Sequence, residues 1–223
     1  MTSETSRDAA LRAFLSLLEE GPFERIDLLQ VAERSGVALS ELRVAFASPR
    51  DLLAAFFRAT DRHVLAAGAD PTAAELAEEP AQERLFEVLM RRLDALDPHR
   101  GAVRSLMASA RRNPLLALTL LDLSIRSQTW MLAAAGLPST GLAGATRARG
   151  LAVLFGRILD VWLKDEDPGL APTMAALDRE LASGAKLLGM LDDLAYLALP
   201  WRARRRSAAV GQADAPTEAQ AGA

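Results

Sequence analysis

The sequence predicts an all-α protein: an N-terminal three-helix helix-turn-helix domain over residues 1–62, followed by a larger antiparallel helical bundle over residues 63–206. Three observations carry this. Half of the residues are hydrophobic while only 5% are aromatic, and Ala, Leu and Arg dominate, a composition that favours helices. No stretch of useful length alternates apolar and polar residues as a half-buried strand does. Pro, Gly, Asn and Asp punctuate the chain at helix-length intervals.

Taken in order, the first helix is expected over residues 6–20, with Ala10, Phe14, Leu17 and Leu18 on one face. Asp27 is placed to cap a short helix carrying Leu28, Leu29, Val31 and Ala32. Ser35-Gly36-Val37 reads as a turn, because Gly36 is free to take the positive φ that a helix end needs. A second short helix follows over residues 38–46. Ser48-Pro49-Arg50-Asp51 then restarts the chain, with Ser as N-cap, Pro at the first helical position and Asp at the capping-box position. The helix it opens, residues 49–67, is apolar at Leu52, Leu53, Phe56, Phe57, Val64 and Leu65, and Gly68-Ala69-Asp70-Pro71 breaks it.

The bundle is expected to contain helices over residues 81–96, 98–112, 114–135, 142–164 and 172–199. Asp97-Pro98, Asn113-Pro114, Gly136-Leu137-Pro138 and Asp167-Pro168-Gly169 separate them. Residues 207–223, rich in Ala, Gly, Gln and acids, read as a disordered tail.

Two short helices joined by a tight Gly turn form a helix-turn-helix signature, in which the second helix enters the DNA major groove. The segment from about residue 7 to 60 also resembles the N-terminal domain of the TetR family of bacterial transcriptional repressors. The resemblance rests on Gly21-Pro22-Phe23, on Val31-Ala32-Glu33-Arg34-Ser35-Gly36-Val37, and on Phe46 followed by Ser48-Pro49-Arg50-Asp51-Leu52-Leu53. The chain departs from the family pattern at Arg43 and Ala45, where aromatic residues are usual. Arg43 is suited to replace a phosphate contact, and Val44 and Ala45 offer apolar contact to a thymine methyl. DNA contact is therefore expected from Arg34, Ser40, Arg43 and Arg50, with Leu42 and Phe46 packing inward. Residues 1–62 hold eight Arg, no Lys and ten acids, so any basic face must come from placement rather than from net charge.

The resemblance implies a homodimeric regulator, a repressor, that binds palindromic operator DNA and dimerises through helices 142–164 and 172–199. It also implies a small apolar ligand in the larger domain. Met107, Leu120, Trp130, Met131, Phe155 and Trp162 are the candidate lining residues, with Arg126 and Gln128 the nearest polar groups. The same side chains also serve as plain bundle core.

An enzyme is not expected. The chain has no Cys and only two His, His63 and His99, and carries no metal-binding His motif, phosphate loop or nucleophile elbow. No cofactor and no metal are expected; Asp192-Asp193 reads as a solvated pair. The polar N-terminus and the absence of an uncharged apolar stretch of about 20 residues lead to the expectation of a cytoplasmic protein.

An alternative remains open at this point. Trp162, Asp165-Glu166-Asp167 and Thr173 with Leu177-Asp178-Arg179 and Leu181 also resemble a TetR-fold group of lipid-binding accessory proteins of ubiquinone biosynthesis, which lack DNA-binding activity. Under that alternative alone, Trp201 and the arginines at 202 and 204–206 would contact a membrane. A structural bundle without ligand is the third reading.

Overall fold

A computed structural model describes residues 2–67 and 79–184, and side chains from residue 5 onward. Among these residues every regular element is a helix. They are α1 (Thr2–Glu20), α2 (Leu28–Ser35), α3 (Leu39–Ala45), α4 (Pro49–Ala67), α5 (Ala81–Leu96), α6 (Arg100–Ala110), α7 (Pro114–Ala134) and α8 (Gly141–Trp162). Short 3₁₀ turns, Phe23–Arg25 and Asp97–His99, precede α2 and α6, and residues 171–184 are helical as well. The chain divides into a compact unit, Met1–Glu180, and a second unit beginning at Leu181. The expected break at 68–71, the last helix beyond 184, Asp192-Asp193, the arginine run and the tail lie outside the described residues.

The caps form as local chemistry dictates. The Asp27 carboxylate accepts from the Gln30 N–H at 2.9 Å, and Gln30 Oε1 accepts from the Asp27 N–H at 3.1 Å. This reciprocal box satisfies two N–H groups that a helix start otherwise leaves unpaired. Gly36 closes α2 in the left-handed conformation, φ 68°. At the start of α4, Asp51 Oδ2 accepts from the N–H groups of Ala47 and Ser48, at 2.7 and 3.1 Å. Asn113 caps α7 through a bond from the Leu116 N–H, with Pro114 at the first helical position.

Several details differ from expectation. Pro98 lies in the 3₁₀ turn, and α6 starts only at Arg100. The second short helix is trimmed to Leu39–Ala45. On α1 the fully buried residues are Ala10, Phe14 and Leu18 with Ala13 and Leu15, while Leu17 is only half-buried. The reason is that α1 is wrapped by α2, α3, α4 and α6 together, so a wide arc rather than one stripe is covered. Helix α4 runs unbroken through residue 62 and packs on α5 and α7. Among the described helices the α7–α8 pair forms the most extensive contact.

Candidate functional site

Helix α3 stands on α1 and α2 through Leu42 and Phe46, which are 1% and 4% exposed. Its remaining face, Leu39, Ser40, Glu41, Arg43 and Val44, is open, and Val44 is 88% exposed. Arg50 is exposed at the start of α4. Arg34, at the end of α2, is already engaged: its guanidinium forks the Glu20 carboxylate at 2.6 and 2.8 Å and bonds Ser16 Oγ at 2.9 Å. The Arg34 hydrogen bond holds the Glu20 carboxyl below its ordinary pKa. Among the described residues Ser40, Arg43 and Arg50 thus present groups without a partner, while Arg34 ties α2 to α1.

The second feature is a cavity of about 280 Å³ lined by α4, α5, α6, α7 and α8 and partly open to solvent. Among the described residues its wall is apolar apart from Thr60, Arg92 and Ser124. Of the expected lining residues, Met107, Leu120 and Phe155 are in the wall, and Trp130, Met131 and Trp162 are not. Trp130 is 58% exposed on the outer face of α7. Met131 is fully buried with its sulfur 3.9 Å from Arg92 Nη1. Trp162 is buried beneath the Arg100 guanidinium, 4.4 Å from the ring centre. Nor is Arg126 near the cavity: it is 74% exposed and pairs with Asp122 at 2.9 Å. Gln128 is wholly buried, and both its amide atoms lack a partner among the described residues.

The charged residue in the wall is Arg92, which sequence reading did not single out. Its Nη1 donates to Asp61, and Ser127 Oγ donates to the same carboxylate oxygen at 2.5 Å. The guanidinium lies 5.9 Å from the Phe57 ring centre and 5.5 Å from that of Phe155. Burial presses the Arg92 pKa down and Asp61 opposes it, leaving it below the ordinary arginine value. Its Nε is buried without a partner among the described residues. A charge this deep requires its counter-ion, and Asp61 on α4 supplies it from the neighbouring helix. The available signal was Arg92 between Leu89, Leu93 and Leu96, on the apolar stripe of its helix.

Helix α6 belongs to both features. Val103, Leu106 and Met107 line the cavity. From the same helix Ser105 Oγ donates to the Gly21 carbonyl at 2.7 Å, and Ser109 Oγ accepts from the Phe23 N–H at 3.2 Å. These bonds fasten the connection between α1 and α2. Just past α6, Asn113 Nδ2 donates to Glu24 at 3.0 Å.

Among the described residues no cluster of His, Asp and Glu is arranged to hold a metal ion, and no helix is long and apolar enough to cross a membrane. No family model matches the chain, and no curated protein matches it significantly. Solved structures do. The chain is similar to a TetR transcriptional regulator from Nitrosomonas europaea ATCC 19718, with 23% identity, a TM-score of 0.62, and coverage of 80% of this chain and 97% of that one. It is also similar to a TetR transcriptional regulator from Rhodococcus sp. RHA1, with 20% identity, a TM-score of 0.57, and coverage of 82% and 96%. The chain has the TetR-like all-α fold.

Proposed function

We propose that this chain is a cytoplasmic DNA-binding transcriptional regulator, a repressor, that acts as a homodimer on a palindromic operator. A small apolar ligand in the cavity modulates its binding. One observation carries the DNA reading: a short helix, α3, seated on Leu42 and Phe46 after a glycine turn, with Ser40, Arg43 and Val44 left open. A helix so presented fits the major groove, and the solved structures that share the fold are transcriptional regulators by description.

In this reading Arg43 and Arg50 contact phosphate, Ser40 and Val44 meet base edges, and Arg34 reaches DNA only by leaving Glu20. The DNA-binding part is residues 1–62, and residues 63–206 bind ligand and dimerise. Dimerisation through α8 and the helix from residue 171 is supported by Leu142, Val153 and Met174, which are 85%, 49% and 40% exposed in the single chain. Apolar groups of that size left open on a helix face call for a partner surface. Helix α6 supports ligand control, because it lines the cavity and also bonds the chain between α1 and α2.

The test is selection from random duplexes, together with titration of duplexes from the protein's own promoter region. A palindrome bound at nanomolar levels, about a thousandfold or more above non-specific DNA, is the expected result. Affinity that is equal for all sequences and governed by salt alone would overturn the reading.

A further inference from the structure

We infer that the groove between α1, α3 and α4 is a further phosphate-contact surface, on which Arg7 and Arg58 bind the DNA backbone beside the reading helix. This rests on the reading of α3 as the helix that enters the major groove. The groove is lined by Arg7 and Asp8 of α1, by Ala45 and Phe46 at the end of α3, and by Arg58 and Arg62 of α4. Residues 1–62 hold eight Arg against ten acids. Among the described residues of this wall the balance reverses, with three arginines and one acid, Asp8. Arg7 and Arg58 are exposed and form no ion pair or hydrogen bond among the described residues. Two helices thus bring unmatched positive charge to one place. Like charges so gathered repel, and an anion entering between them relieves the repulsion.

Position decides which anion. Helix α3 has seven residues, about 10 Å at 1.5 Å per residue, and the major groove is about 12 Å wide. Phosphates border that groove on both sides, so a helix lying in it has a backbone close by. Arg7 and Arg58 flank the end of α3, and each carries a guanidinium fork that matches a phosphate. Neither Arg43 nor Arg50 lines this groove, so the contact adds to theirs. It fixes the register of the protein on the duplex and reads no bases.

The experiment follows the affinity of the full chain across roughly 50–200 mM salt. The probes are the best duplex from the random selection and a scrambled duplex of the same length. Arg7→Gln and Arg58→Gln should each lower the salt slope by about 0.9, and the double variant by about twice that. The order of preferred sequences should stay the same. Arg7→Lys with Arg58→Lys keeps both charges and should restore the slope. Arg126→Gln removes one charge from α7, away from the groove, and should leave the slope as it was.

An unchanged slope in the double variant would overturn the inference. So would an equal loss in Arg126→Gln, a changed order of preferred sequences, or a loss that lysine does not restore. Phosphatidylserine vesicles are the control for a lipid surface: if the double variant loses vesicle binding and keeps duplex binding, the groove belongs to lipid and the inference fails. A chain that selects an operator with no slope change refutes only the groove. A chain that selects no sequence refutes the regulator, and slope loss on the scrambled duplex then supports the groove alone.

Discussion

Arg34 and Arg43 share a side chain and differ in freedom. Arg34 is forked onto Glu20 and held by Ser16, whereas Arg43 stands exposed on α3. Replacing Arg43→Ala is expected to weaken DNA binding uniformly across sequences and to lower the salt slope by about one unit. Titrations at several salt concentrations measure this, and an unchanged slope would remove Arg43 from the interface. His99 gives a second prediction at this scale. Burial pushes its pKa below the ordinary value of 6.5, against the pull of Glu19, and its ring meets Phe56 edge-on with centres 5.5 Å apart. The unfolded chain therefore binds the proton more readily than the folded one. The stabilising contribution of neutral His99 is complete above the unfolded pKa and is lost as pH falls through the folded one. Melting temperature followed from about pH 7 to pH 5 should fall, and His99→Gln should flatten part of that fall.

At the scale of elements, two glycines hold helix ends for different reasons. Gly36 has φ +68° and open space where a Cβ would stand. The only penalty of Gly36→Ala is backbone conformation, about 1 kcal/mol. Gly144, inside the first turns of α8, would place a Cβ 2.3 Å from the Ser139 carbonyl carbon. Backbone must move to admit it, so Gly144→Ala should cost more than Gly36→Ala, about 2 kcal/mol or above. Urea unfolding of the two variants side by side measures the order; equal midpoints would contradict it. Both substitutions act on connections: Gly36 sets the angle between α2 and α3, and Gly144 lets the chain after α7 fold tightly onto α8.

For the molecule as a whole, the exposed row on α8 sets the expectation for assembly. Leu142, Thr146, Arg149, Val153 and Arg157 all face outward at three- and four-residue spacing. Sedimentation at about micromolar concentration is expected to give a dimer, and Leu142→Asp with Met174→Asp, two exposed positions outside the cavity wall, should shift it toward monomer. A monomer in the unmodified chain would defeat the dimeric reading and with it the palindrome.

What the sequence determined alone is the part written in neighbouring residues. Asp27 as a cap, the turn at Gly36, the restart at Ser48-Pro49-Arg50-Asp51 and the break at Asn113-Pro114 are each settled within one helical turn, and all appear in the structure. So does the inward packing of Leu42 and Phe46. The cavity was only half legible, because α7 is apolar almost all round. Leu115, Leu116, Leu118, Leu120 and Leu121 leave periodicity no single face to choose. Leu120 therefore lies in the wall while Trp130, on the same helix, turns outward. Only the tertiary structure decided that Arg92 and Asp61 meet. The apolar stripe around Arg92 marks it as a buried position but names no counter-ion; each charge becomes tolerable in the interior because a partner on another helix neutralises it. That pairing depends on how α4 and α5 pack, which no local pattern along either helix encodes.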